Sequence, residues 1–456
     1  MRLTPLEPEI PSVGGFTDDN DLFGYRDFAE RFANLVCNIS EPLVVALDGP
    51  WGSGKSVFIK QWAGLLRERS VHTIYFDSFA NDYCEDAFLA LSAEIHTVAK
   101  SALGGNKSVT RRYFNQTKKV GAVLAPLMLQ VATRMGTAGI LSLSDLEVGN
   151  DAVKAAARAV GDEAAKAMDK AISERLRKMA QEKATLAAFR EALSEIANNL
   201  SRQKNSEHGG VYPLVFIVDE LDRCQPPFAL SVLERIKHFF TVPGVCFVLV
   251  THLPHLETMT TSAYGTAVDA HAYLEKFYQL RIALPERGDK PAKQLSTYFA
   301  HLWKTLGIEF TEPRQGQLIQ RDIELLATAH HLSLRRLERV MTNVALVCTA
   351  VGPRRLAVAP LIAGLCVMRQ THPDLYKMAQ RKELTWERIR EFLQPAKARG
   401  IQADRALDWW RYVTVGGALT QDRVNNFGET LIKYDVSEPR DLLPLMAEYI
   451  EELAQN

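Results

Sequence analysis

The run Gly49-Pro50-Trp51-Gly52-Ser53-Gly54-Lys55-Ser56 constrains this chain more than any other stretch, because it matches GxxxxGK[ST] at every fixed position and joins two different hydrophobic patterns. Before it, Leu43 to Leu47 is a continuous apolar run, as in a strand buried on both faces of a parallel sheet. After it, Lys55 to Arg69 carries good helix formers with apolar positions at helical spacing. In that setting the glycines let the backbone curl so that successive N–H groups converge on phosphate oxygens. The helix opening near Gly54 aims the positive end of its dipole at the same anion. Lys55 is placed to reach the β and γ phosphates of a nucleoside triphosphate, and the Ser56 hydroxyl to ligate Mg²⁺. Gly49 to Val57 is therefore the expected nucleotide-contacting run.

The rest of the chain supplies a sheet for this loop to stand on. His72 to Phe76 alternates like a strand, and Leu214 to Val218, Val245 to Thr251 and Leu280 to Leu284 are further apolar runs, the last ending at the breaker Pro285. Helices are expected at Phe228 to Phe240 and Ala270 to Phe277. The predicted fold is α/β: a five-stranded parallel sheet flanked by helices, with a large helical insertion and an all-helical C-terminal region. The insertion is inferred because more than a hundred residues separate the second and third strands, where a compact crossover needs about a dozen. Asp151 to Leu200 lacks proline and should form long helices. Beyond Pro285, Pro291 to Leu306, Gln317 to His330, Ser333 to Val351 and Asp441 to Ala454 read as amphipathic helices. The expected division is 1–100 and 184–285 for the two halves of the core, 101–183 for the insertion and 286–456 for the helical region.

Leu214-Val215-Phe216-Ile217-Val218-Asp219-Glu220 is a buried strand ending in two carboxylates, which a parallel sheet delivers to its ligand-binding carboxyl edge. Asp219 is expected to hold Mg²⁺ and Glu220 to act as general base on the attacking water. Asp222 and Arg223 continue the cluster. Arg223 is expected either to pair with Asp222 or to contact a nucleotide on an adjacent subunit.

Taken together, these segments resemble the KAP family of P-loop NTPases. The loop with its tryptophan, Asp219-Glu220-Leu221-Asp222-Arg223-Cys224, Tyr273-Leu274-Glu275-Lys276 and Phe23-Gly24-Tyr25-Arg26-Asp27-Phe28-Ala29-Glu30 carry the resemblance, over roughly residues 20 to 350. It implies a sheet in which the fourth strand separates the first from the third, with a helical region after it. It implies ATP and Mg²⁺ as ligands, a switch of conformation or assembly driven by hydrolysis, a homo-oligomer or partner protein, and a setting in antiviral defence. Glu220 stands where the family commonly has a second aspartate, a change that favours hydrolysis. Thr251, with His252, stands where the family often has an acid and is the candidate sensor. Arg335, with Arg336, resembles the arginine that reports on the γ-phosphate, the alternative being a solvated helix face. No NKxD-type guanine motif follows the fourth strand, which favours adenine. A nucleotide-gated scaffold with little turnover is the rival reading. A small-molecule kinase is the third, and no segment points to an acceptor pocket.

Lysine plus arginine equal aspartate plus glutamate at 54 each, so no global field draws the molecule to nucleic acid or anionic lipid and any such attraction must be local. One segment is locally biased. Between Glu94 and Asp145 there is no acid, while Lys100, Lys107, Arg111, Arg112, Lys118, Lys119 and Arg134 are basic and Tyr113 and Phe114 interrupt the run. Val120 to Leu143 is long enough to span a bilayer, but it contains Gln130, Arg134, a proline and three glycines. Spanning, peripheral attachment to a membrane or nucleic acid, and packing against the protein's own helices all stand as readings. A signal-peptide pattern is missing from Met1 to Asn20, and the six widely spaced cysteines suit reduced core residues, so a cytoplasmic setting is expected. Trp409-Trp410-Arg411-Tyr412 is read as core in preference to an exposed partner site.

Overall fold

The computed structural model describes residues 2–5, 7–39, 41–84, 86–104, 107–136, 162–204, 212–285, 291–310, 312–350, 357–397, 404–415, 427–428, 431–432 and 436–451. Five parallel strands, β1 (Leu43–Asp48), β2 (Thr73–Asp77), β3 (Leu214–Asp219), β4 (Val245–Thr251) and β5 (Leu280–Ala283), form one sheet in the order β2-β3-β4-β1-β5. The three central strands are buried at every residue, whereas the edge strands β2 and β5 alternate. This is why the central strands are continuous apolar runs and the edges are not. Strand limits differ from expectation by one residue at every strand but β4. The pairing nevertheless runs on, with Val215 N–H donating to His72 O and Leu284 N–H to Asp48 O.

Helices cover both faces. On one lie α1 (Arg26–Asn38) and α2 (Lys55–Glu68), locked by Trp62, whose ring stacks on Phe32 at 4.4 Å and whose indole N–H donates to Ala29 O. On the other lie α3 (Ala87–Ala102), α4 (Lys107–Gly136), α5 (Asp162–Lys204) and α6 (Pro226–Arg235). There Phe88, Phe189 and Phe240 meet with ring centroids 5.1 to 5.6 Å apart, so the C-terminal part of α5, which leads out of the insertion, is part of the sheet's own core. Residues 137–161, which include parts of the expected bilayer-length and long-helix segments, lie outside the described residues. Among the described residues no helix is long and apolar enough to cross a membrane. The helix expected over Phe228 to Phe240 is α-helical only to Arg235 and continues as a π turn, Ile236–Phe240.

After β4 come α7 (Leu253–Tyr264) and α8 (Ala270–Leu274), shorter than the expected Ala270 to Phe277. After β5 the described elements are helical: α9 (Pro291–Leu306), α10 (Pro313–Ala329), α11 (Leu334–Ala350), α12 (Ala359–Thr371), α13 (Pro373–Gln380), α14 (Trp386–Lys397), α15 (Asp404–Val415) and α16 (Leu442–Glu451). They share a separate core that includes Phe299, Val340, Leu361 and Met446. Trp409, Trp410 and Tyr412 are buried in it, and Gly364 on α12 leaves no room for a Cβ beside the Trp410 ring. The expectation that all six cysteines are core residues holds for Cys224, Cys246 and Cys366. Cys37, Cys84 and Cys348 are only half-buried, and all six are free thiols.

The N-terminal segment ties the two cores together. Arg2 N–H donates to Leu306 O and the Thr342 hydroxyl to Leu3 O in the helical region, while Gly14 N–H donates to Gly64 O and the Gln61 amide to Asn20 O on α2. Contact with α2 is close enough that a Cβ on Gly64 would lie 2.5 Å from Gly15 Cα and 2.9 Å from Pro11 O. Gly64→Ala should therefore displace the segment and cost roughly 1–3 kcal/mol as an overpacked contact. Thermal unfolding should show a lowered midpoint and limited proteolysis faster cleavage before residue 20, whereas an unchanged pattern would show that the segment does not depend on this contact.

Candidate functional site

The loop is anchored by a buried acid at the end of β1. Asp48 accepts from Leu253 N–H at 2.9 Å through Oδ1 and pairs with Arg281 at 2.6 Å through Oδ2, so one carboxylate ties β1 to the start of α7 and to β5. Gly49 N–H then donates to Thr251 O, and Ser53 N–H closes a turn on Pro50 O. Gly52 and Gly54 have φ of 77° and 90°, the left-handed region open to glycine. A side chain on Gly52 would also meet α11, its Cβ falling 3.0 Å from Arg335 Cβ and 3.3 Å from Arg335 N. Lys55 is buried, and its ammonium donates to Gly49 O at 2.5 Å and Pro50 O at 3.1 Å. Burial pulls its pKa down, while Asp222, Asp219 and Asp48 push it back up.

The acidic turn faces this loop. Asp219, 1% exposed, accepts from the Tyr75 hydroxyl at 2.7 Å and from Glu220 N–H at 2.8 Å. Burial raises its pKa and these donors oppose the rise. Ser56, on the first turn of α2, and Asp219, which closes β3, line the same cavity. They form a pair of hard oxygen donors, which suits a cation such as Mg²⁺ that keeps several waters and takes substrate phosphate oxygens. Among the described residues there is no group of three or more His, Cys, Asp or Glu that could hold a metal by itself.

Glu220 sits at φ 58°, a left-handed conformation that costs a non-glycine residue roughly 1–3 kcal/mol and marks a turn held by its surroundings. Its carboxylate pairs with Arg223 at 2.7 Å. Its pKa is raised, first by burial, with Arg223 and Arg335 opposing the rise and Asp219 and Asp77 adding to it. Arg223 therefore does not pair with Asp222 as one expectation had it. Asp222 points the other way and receives the indole N–H of Trp51, whose ring packs beside His252 and His255 at 5.5 and 4.6 Å.

Thr251 ends β4 beside Asp48 in the register and is 1% exposed. Its hydroxyl, like that of Ser53, is buried with no hydrogen-bond partner in the protein. Arg335, on the first turn of α11, is solvent-exposed yet lines the same cavity as the loop, whereas Arg336 does not line it. That cavity, of about 240 Å³, is walled by Leu22 and Phe23 before α1, Val57 and the loop, the acidic turn after β3, Tyr298 and His301 on α9, and the first turns of α11. The candidate residues Lys55, Ser56, Asp219, Glu220 and Arg335 all line it, as do Trp51, Gly52 and Gly54. Thr251, Gly49, Pro50 and Ser53 are not among the residues that line it.

Sequence reasoning passed over Tyr75 and Asp48. Asp48 was visible as an acid closing an apolar strand. Tyr75 was visible as a polar-tipped residue on the half-exposed face of β2, but its partner lies 144 positions away.

Residues 25–350 match the family model of the KAP family P-loop domain. The chain belongs to the KAP family of P-loop NTPases. No curated protein matches it. Two solved structures of the Aeropyrum pernix ORC2 protein, the ADPNP–ADP complexes and the ADP form, align over 99% of this chain and 98% of theirs, at 12% and 10% identity with TM-scores of 0.35 and 0.34. The family placement rests on the family model.

The Trp51–Asp222 contact joins the loop to the acidic turn, and Asp222 is 4% exposed. Trp51→Phe keeps the ring and removes the donor, which should cost roughly 1–3 kcal/mol for a buried carboxylate losing a partner. A double-mutant cycle with Asp222→Asn in urea should give a coupling of about 1 kcal/mol or more. Zero coupling would show that the bond contributes nothing to the fold.

Proposed function

We propose that this KAP-family protein binds ATP and hydrolyses it with Mg²⁺, and that nucleotide state sets the position of the helical region 286–456 against the core. The observation that carries the reading is that Ser56, Asp219 and Glu220 line one cavity together with the glycine loop. Ser56 and Asp219 would hold Mg²⁺, which supplies charge neutralisation at the β and γ phosphates. Loop N–H groups from Gly49 to Ser56 would bind phosphate oxygens, and Lys55 would exchange two backbone carbonyls for them. Such an exchange is favourable because a charged acceptor hydrogen-bonds about twice as strongly as a neutral one.

Glu220 would take the proton of the attacking water, its carboxylate aimed by Arg223. The Thr251 hydroxyl, buried and without a protein partner, would orient that water from behind. Arg335 would meet the γ-phosphate from α11, so that the helical region registers cleavage. The apolar wall from Leu22, Phe23 and Val57 suits the flat face of a base, and adenine is the base we assign. A switch of assembly as well as conformation, and a setting in antiviral defence, follow from family resemblance alone.

Steady-state phosphate release from ATP and GTP tests this. General-base catalysis contributes about 10²- to 10⁴-fold, so Glu220→Gln should keep ATP binding and lose at least roughly a hundredfold in kcat. Lys55→Ala should weaken ATP binding by about tenfold or more, the loss of one charge-assisted contact. Chelation of Mg²⁺ by EDTA should stop turnover. Equal turnover in wild type and Glu220→Gln would remove Glu220 from the chemistry. Tight binding with no turnover in the wild type would favour a nucleotide-gated scaffold.

A further inference from the structure

The basic segment outside the cavity is sorted by the structure into two unequal faces. On α4, Val109, Tyr113, Thr117, Val120 and Leu124 form the buried stripe. Arg112, to one side, is neutralised by Glu195 at 2.7 Å and Glu191 at 3.5 Å on α5. Lys107, Arg111, Phe114 and Lys118, spaced i, i+4, i+7 and i+11, lie on a third direction and are all exposed. Among the described residues no carboxylate pairs with Lys107, Arg111 or Lys118.

The neighbouring helix α3 extends this face. His96 packs on the Phe114 ring at 5.0 Å, and Leu89 lies beside Gly121, so α3 runs antiparallel to α4 here, and Lys100, one turn beyond His96, is exposed at the same edge. Glu94, the acid of α3, is on the far side of that helix's buried stripe of Leu91, Ile95 and Ala99. In a chain of zero net charge this leaves one stripe of four cations without an interspersed acid.

We propose that the α3–α4 face, Lys100, Lys107, Arg111 and Lys118 around Phe114, binds the phosphodiester backbone of single-stranded nucleic acid. From Lys107 to Lys118 the helix rises about 16 Å, the length of roughly five stacked nucleotides at 3.4 Å each. The Lys118 ammonium lies 4.5 Å above the Phe114 ring, which fixes a long side chain in place for a phosphate. The charge is complementary to a polyanion, and a planar ring within a basic groove is the pattern of strand binding. A membrane surface fits less well, because among the described residues the large apolar side chains exposed on this face are only Leu89 and Phe114.

The test uses the full chain and a fluorescein-labelled 30-nucleotide oligo-dT, with anisotropy read from 50 to 300 mM KCl. Wild type should bind at low salt. Lys107→Ala/Arg111→Ala/Lys118→Ala should bind at least tenfold more weakly, with the slope of log K against log salt shallower by about 2, three contacts at roughly 0.7 each. Its thermal midpoint and ATP turnover should match wild type, and Lys107→Arg/Lys118→Arg should bind like wild type. Absence of binding by wild type, or an unchanged slope in the triple variant, would overturn the proposal. So would binding confined to vesicles containing phosphatidylglycerol and lost in the triple variant.

Discussion

β4 hydrogen-bonds to β3 on one side and β1 on the other, and this placement governs the geometry of the site. Adjacent strands are about 4.8 Å apart, so the loop after β1 and the acids after β3 are held roughly 10 Å from one another across a single strand. Trp51, from the loop, bridges that gap to Asp222, and Ser56 and Asp219 line the same cavity. Thr251, at the end of the intervening strand, lies between them. Asp48 secures the arrangement by taking bonds from β5 and from the start of α7 at once.

The loop is also in contact with the helical region. Gly52 lies close against the first turn of α11, where a Cβ would fall 3.0 Å from Arg335 Cβ, and the N-terminal segment bonds to both α2 and α9. The cavity is therefore a seam between parts with separate cores, not a pocket within one. A ligand bound at such a seam shifts the balance between arrangements by its differential contacts with them. Arg335 and Glu220 line the cavity from opposite parts and, on the proposed reading, are the side chains that would make those contacts differ.

Most of the sheet could be read from the amino-acid sequence, because burial on both faces writes an unbroken apolar run and the central strands β1, β3 and β4 have one each. The loop was legible because its chemistry needs fixed residues at fixed spacing. The burial of Trp409 and Trp410 was legible as well, since adjacent aromatics on a helix rarely both face water. What escaped were bonds between distant positions. Tyr75 to Asp219 and Trp51 to Asp222 depend on strand order, and local periodicity has no access to that. Of the two expectations for Arg223, the pairing with Asp222 failed for the same reason: Asp222 takes the indole N–H of Trp51 and Arg223 pairs with Glu220. The basic segment shows the limit clearly: its charges were plain, but which of them α5 would neutralise was not.

Hydrogen–deuterium exchange with and without ATP and Mg²⁺ tests the central claim, that nucleotide is bound at a seam joining the loop, the N-terminal segment and α11. Protection should rise together at Gly49 to Ser56, around Leu22 to Tyr25 and in the first turn of α11 from Leu334. Protection confined to the loop, with Leu22 to Tyr25 and α11 unchanged, would contradict the account and leave the helical region uncoupled from the nucleotide.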